Sequence, residues 1–345
     1  MKKSFCILLI LIFSISKKNI SAQDIHFTEI YMSPLVLNPA NAGAFYKQRA
    51  TLMYRSQWRS VTTPYVSIKA GYDMNFKNSQ NKKGYWAGGI YVYNDKAGDS
   101  QMSLTQVNFS GAYHLPIDAE NIIGAGIQGG YFQRSANTST LSWGNQFDGY
   151  QYNPSLSPNE NFGDGTMAFG KLDAAIGVVH TYYKNEMYKA VVQRITSGIA
   201  VHHLNKPEID YVNITKDRLY YRWVLHSEAE ININEKIKAL PTLAYYYQGK
   251  LKEFIIGSNF MYAFQKASTK TTGVKSISAG LGAMYRWKDA AAVTFLLNYD
   301  KYLFGMSYDF NISSLNQASN YKGAFEISLR YLFESEKIKS KSRFR

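Results

Sequence analysis

Cysteine is all but missing: the one thiol, Cys6, lies in an N-terminal apolar run, so no disulfide braces the rest of the chain. After that run, no stretch offers the roughly 18 uninterrupted apolar residues that a membrane helix needs. A membrane protein made from this chain must therefore be a barrel. Proline is scarce, at 8 residues in 345, and no linker rich in Pro, Gly or Ser divides the sequence. Catalytic signatures are also absent, with no Gly-x-Ser-x-Gly elbow, phosphate loop or Cys–His pairing. His202 and His203 are the only adjacent histidines, and neighbours on a strand face opposite sides, so they cannot chelate one ion together. The stretch 159–165 holds Glu160 and Asp164 without the carboxylate spacing of a calcium loop. These absences predict no enzyme, no cofactor and no metal. An outer-membrane hydrolase, which needs only a serine and a histidine on one barrel face, ranks third among the functional readings.

The N-terminus has the layout of a secretory signal peptide: Lys2 and Lys3, an apolar run over 5–15, and small residues at Ser21 and Ala22. Cleavage is expected after Ala22. Removing 1–22 takes away four lysines and lowers the formal charge from +14 to 14 − 4 = +10. Such a basic balance raises the question of nucleic acid. Export argues against it, and the bases are scattered without forming one patch. Aromatic residues make up 15% of the chain against 19% charged, the enrichment that two interfacial girdles require.

Periodicity supplies the fold. Phe325, Ile327, Leu329, Tyr331 and Phe333 share one face of a strand, while Glu326, Ser328 and Arg330 share the other. The preceding segment sets Phe304, Met306, Tyr308, Phe310 and Ile312 against Gly305, Ser307, Asp309 and Asn311. Fourteen such segments run from 50–59 to 324–333, and an even count brings both termini to the periplasmic side. The fold class is thus all-β, a transmembrane antiparallel barrel in the outer membrane. Its expected divisions are a signal peptide 1–22, an N-terminal segment 23–48, a barrel 49–333 and a basic periplasmic tail 334–345. Long inner connections at 183–194 and 265–276, with a very short outer turn at 288–290, leave room for one mispaired strand. Pro241 violates ladder pairing and predicts a bulge. Glycines such as Gly124, Gly126, Gly129, Gly280 and Gly282 suit a wall that bends or meets an inserted segment.

With the apolar face outward, Arg55, Arg59, Lys69, Asp73, Asp173, Arg286, Asp309, Glu326 and Arg330 turn toward the lumen. Charges there must be wet or paired. They either brace the barrel or select solutes. In the N-terminal segment, Pro34 and Leu37 belong to an apolar run, and Asn38, Pro39 and Gly43 to a turn-rich string that no regular element accommodates. The segment plugs the lumen, docks a partner or serves as a plain tether.

Specific strings add a family likeness. Gln23-Asp24, Phe27, Pro34-Leu35, Leu37 to Ala40 and Gly43 lead into Tyr54-Arg55-Ser56-Gln57-Trp58. His203-Leu204 and Tyr247-Gln248-Gly249-Lys250 with Glu253 follow. The densest strings are Tyr285 to Ala290, Phe304 to Asn311 and Glu326 to Tyr331. In order and spacing the chain resembles the PorP/SprF family, outer-membrane proteins of the type IX secretion and gliding systems of Bacteroidetes, which more often carry asparagine at the position of Ser56. The resemblance implies a non-enzymatic barrel that supports secretion or surface retention of a particular adhesin or cargo bearing a C-terminal secretion signal. Its implied partners are that cargo, periplasmic or outer-membrane secretion components, and the bilayer. A passive porin for small solutes is the alternative reading.

Overall fold

The computed structural model describes residues 26–60, 63–77, 84–98, 101–137, 141–159, 166–184, 191–209, 217–266, 274–314 and 316–333. The expected signal peptide, the stretch 160–165 and the basic tail lie outside these residues.

Segments of period two become strands because alternate side chains meet two different surroundings. There are fourteen of them: β1 (Gln48–Gln57), β2 (Tyr65–Asn75), β3 (Tyr85–Ala97), β4 (Met102–Pro116), β5 (Asn121–Asn137), β6 (Thr166–Tyr183), β7 (Val192–His202), β8 (Arg222–Asn232), β9 (Ile237–Gln248), β10 (Leu251–Gln265), β11 (Ile277–Arg286), β12 (Ala290–Tyr299), β13 (Tyr302–Asn311) and β14 (Lys322–Leu332). Each pairs antiparallel with its sequence neighbours, and β14 returns to β1, closing a barrel without an edge. Among the described residues no strand is mispaired. Across the closing seam Tyr54 stands opposite Ile327 and Arg55 opposite Glu326.

Outward positions carry Leu52, Ile68, Phe109, Ile127, Leu172, Leu225 and Leu281, all exposed and apolar. This face suits hydrocarbon. Aromatic pairs collect at the strand ends, Tyr285 with Trp287 and Tyr308 with Phe310 at one rim, Tyr262 with Phe264 and Tyr302 with Tyr331 at the other. They form the two girdles that amphipathic rings make at headgroup level. The second rim holds both chain ends of the barrel and the tight turn at 300–301, so it is the periplasmic one. In its β4–β5 turn, the Asp118 carboxylate accepts the backbone N–H groups of Glu120 and Asn121, both at 2.8 Å. Those hydrogen bonds, with one from the Asn121 side chain, hold its carboxyl below the usual range.

Pro241 makes no bulge. It faces Ser258 in an unbroken β9–β10 register. On its other side, toward β8, pairing stops at Glu228–Thr242 and resumes at Ile231–Ala239 without a shift. The ring lacks an N–H, so the ladder loses bonds locally while the register survives.

Candidate functional site

The buried core of this molecule lies inside the barrel, around the chain that precedes β1. Three apolar clusters converge there. Phe27 and Met32 pack with Met53, Met261, Leu296 and Leu303. Ile30 and Leu37 pack with Ala200, Val224, Ala244, Tyr246 and Ile255, and Leu35 and Ala42 with Ala87, Tyr91, Tyr93 and Ala112. Pro34 starts a single helical turn, Pro34–Leu37, where its fixed φ and missing N–H are tolerated. Asn38 then breaks the helix with an extended backbone, and its Oδ1 accepts the N–H of Ala40 at 2.9 Å, which starts the next tight turn.

The barrel wall satisfies the polar groups of this irregular chain one by one, as buried backbone requires. The Asn38 side-chain amide donates to the carbonyls of Val178 (2.9 Å) and Ile199 (3.2 Å), on β6 and β7. Arg222 donates to the Val36 carbonyl at 3.1 Å, and a His114 ring nitrogen meets the Ala42 carbonyl at 2.8 Å. Lys69 Nζ donates to Ser33 Oγ at 2.7 Å. Asp73 accepts the Gly43 N–H at 2.9 Å and two guanidinium bonds from Arg49, at 2.8 and 3.0 Å. Partners on so many strands place the segment within the lumen. It descends from the outer ends of β11, β13 and β14 to the inner ends of β2 and β4.

At the outer end of the segment the charges form one network. Arg286 donates to Asp309 at 2.9 Å and Arg55 reaches Asp309 at 3.4 Å; Arg55 also pairs with Glu326 in close contact. The segment joins this network through three donors. Thr28 N–H donates to Glu326 Oε1 at 2.8 Å, Glu29 N–H to Oε2 at 3.1 Å, and Thr28 Oγ1 to Asp309 at 2.8 Å. His26 sits 3.3 Å from Glu253. At the inner end the guanidiniums of Arg49 and Arg330 stand over the Tyr46 ring at 5.4 and 5.3 Å, and Arg194 stands 3.9 Å from the Phe45 ring centre.

Space for the segment comes from inward-facing glycines. A Cβ on Gly126 would stand 2.6 Å from the Ala40 nitrogen, one on Gly177 2.0 Å from Asn38 Oδ1, and one on Gly89 2.9 Å from a Leu35 methyl. Gly198 and Gly305 likewise face Asn38 and Glu29. Gly43 itself has φ +55, and a Cβ there would meet Ala87 and the Met74 carbonyl, both at 2.7 Å.

Of the charges assigned to the lumen, Arg55, Lys69, Asp73, Asp173, Arg286, Asp309 and Glu326 are buried there, and Arg330 is half-buried at the inner mouth. Asp173 pairs with His203 at 3.0 Å, apart from the network above. Arg59 requires a correction. β1 ends at Gln57, Trp58 turns the chain at φ +58, and Arg59 stands exposed on the outer loop with its Nε on Ser56 Oγ at 2.8 Å. Pro34, Leu37, Asn38, Pro39 and Gly43 all lie on the luminal segment. Sequence reasoning passed over Thr28, Glu29, Arg49, His114 and Arg222, and took Glu253 only as part of a family string; their partners are distant in the chain. The signal in the sequence that does point to the cradle is the mid-strand glycine, such as Gly126, expected to suit a wall that meets an inserted segment.

Outside, residues 141–159 between β5 and β6 hold a structure of their own by local hydrogen bonds, with Gln146 buried and most of the other side chains exposed or half-exposed. Phe147 bridges to Tyr152, Asp148 caps the turn by accepting the N–H groups of Tyr150 and Gln151 at 2.9 Å, and Gln146 and Asn153 are tied by a backbone bond of 2.7 Å. The hairpin holds Tyr150 at 96% exposure beside exposed Phe147, Tyr152 and Leu156.

A family model described as type IX secretion system membrane protein PorP/SprF matches residues 19–331. No curated protein matches the chain. Among solved structures, the chain is similar to the Ralstonia pickettii toluene transporter TbuX at 10% identity and a TM-score of 0.44, over 88% of this chain and 94% of that one. A Pseudomonas aeruginosa FadL homologue matches at 9% identity and 0.43, over 86% and 93%. BamA of Haemophilus ducreyi matches at 10% and 0.39, over 83% and 70%.

Proposed function

The chain belongs to the PorP/SprF family of type IX secretion system membrane proteins and is an outer-membrane β-barrel, and from that footing we propose that it supports secretion or cell-surface retention of one partner, an adhesin or other cargo with a C-terminal secretion signal. Membership in a secretion system implies contact with other components of that system and with the bilayer. Family and fold are those of a secretion-system barrel and of no enzyme class.

The observation that carries the proposal is the filled lumen. A wall of charges left wet would suit a solute channel, but here Arg55, Arg286, Asp309 and Glu326 are engaged with Thr28 and Glu29 of the chain's own segment. In this reading 26–44 acts as a plug, which favours an interaction barrel over a passive porin. Cargo is then held outside, chiefly by the β5–β6 loop. Rigid, exposed aromatics set among Ser, Gly, Asn and Gln give contact area at low entropic cost. The inner turns and the basic tail are left to face periplasmic components.

Deleting the gene tests the whole reading: one surface adhesin should disappear while general secretion continues, and an unchanged set of surface proteins would refute it. Purified barrel in planar bilayers should show little or no steady conductance, whereas large stable openings would favour the porin. Within the loop, Tyr150→Ala should weaken cargo binding by about tenfold or more if the ring is an anchor. The barrel should keep its wild-type electrophoretic migration.

A further inference from the structure

On the outward wall near the outer rim, a groove of about 430 Å³ crosses β10 to β13. Its cause is a gap in side-chain size. One row across the wall reads Ile256, Tyr285, Ala291, Phe310, and the row beneath reads Ser258, Ala283, Val293, Tyr308. Ala291 in the first row and Ala283 in the second leave a diagonal trough between large neighbours. The exposed Ile256, Tyr285, Val293 and Phe310 form its sides, and no charged side chain lines it. A trough in this position opens onto hydrocarbon, where an empty void forfeits dispersion contacts on every wall and water finds no partner.

The rim above the trough has a different character. β11 and β12 are joined by only 287–289, the backbone of Lys288 has φ +59, and its side chain stands exposed. Lys322 is directly across from Phe310 at the start of β14, and Lys252 lies on the outward face of β10 two pleat repeats above Ile256. The one acid of that turn, Asp289, is taken by Arg286. Neither Lys288 nor Lys322 forms an ion pair among the described residues. Cations above an apolar trough fit an amphiphile with an anionic head, the pairing by which basic residues beside a membrane wall recognise lipid.

We propose that this groove binds one acyl chain of a phosphorylated saccharolipid of the outer leaflet, with its phosphates against Lys288 and Lys322. The outer leaflet is the source because the trough lies at the outer ends of its four strands. The site is separate from the lumen and from the cargo loop, so it stands whatever the cargo proves to be.

Native mass spectrometry of the full barrel, extracted in mild detergent, provides the test. The wild type should retain one saccharolipid per barrel. Ala291→Trp, which fills the trough, should abolish that retention. The pair Lys288→Glu and Lys322→Glu, both on exposed positions outside the packed wall, should lower it roughly tenfold or more, with the heat-modifiable migration of a folded barrel unchanged. Equal retention by the wild type and both variants would overturn the proposal, as would retention of a glycerophospholipid in the saccharolipid's place. If Ala291→Trp fails to fold, the lysine variant decides the matter alone.

Discussion

Replacing Glu326 by leucine should lower the stability of the folded barrel by about 3–5 kcal/mol, the loss expected when one partner of a buried ion pair is removed. Glu326 is 0% exposed and receives the Arg55 guanidinium together with the backbone N–H groups of Thr28 and Glu29. Without its carboxylate, the counter-ion left to Arg55 is Asp309 at 3.4 Å, an acid already engaged by Arg286 at 2.9 Å, beside the neutral acceptors Thr28 Oγ1 (3.2 Å) and Gln57 Oε1 (3.3 Å). Two orphaned N–H groups at the outer end of the segment add their own desolvation cost. Glu326→Gln retains acceptors for those donors and should lose less. Urea titration of the reconstituted barrel, followed by electrophoretic migration, measures the difference.

The double variant Arg55→Leu with Glu326→Leu separates charge from packing. If the ion pair dominates, removing both partners should recover much of the single-variant loss, because no unpaired guanidinium remains. Equal losses in the single and double variants would show that the segment's N–H groups, not the charge pair, account for the effect. Either way, the closing seam is where the first strand, the last strand and the luminal chain are tied through one carboxylate.

Period-two patterning is a local property, and for that reason the wall was legible. Phe325 to Phe333 announce a strand without reference to any other residue, and fourteen such segments with neighbour pairing leave little choice of topology. Buried charges could be read too, since Lys69, Asp73 and Asp309 stand out on otherwise apolar strands. Their partners could not. Asn38 binds carbonyls 140 and 161 residues away, and nothing in the string Asn-Pro-Ala-Asn-Ala-Gly names Val178 or Ile199. The inward face also hides apolar residues, such as Val224, Ile255 and Leu296, because it packs against the segment rather than against water. Arg59 was misplaced by extending the parity of Arg55 past Trp58, where a positive φ ends the strand.

The glycine cradle leads to the second large effect. Gly177→Val should displace the segment from the lumen and convert a closed barrel into a conducting one. Its Cβ alone would stand 2.0 Å from Asn38 Oδ1 and 3.1 Å from the Ala200 Cβ, and the branched methyls need more room than that. The wall cannot yield readily, because β6 is paired on both sides at this point, with Gly177 opposite Gly126 of β5 and Ala200 of β7. Asn38 must therefore move, abandoning the carbonyls of Val178 and Ile199. Overpacking of this kind costs about 1–3 kcal/mol, and each buried polar group left without a partner adds to it. Gly129→Val is the control, since that glycine faces outward with nothing within 4 Å of an added Cβ. In planar bilayers, Gly177→Val should give steady openings, while Gly129→Val should match the low conductance expected of the wild type. Deleting 26–44 should open the channel as fully as Gly177→Val does. If the deletion leaves conductance at the wild-type level, the segment is not what closes the lumen, and the reading of 26–44 as a plug fails.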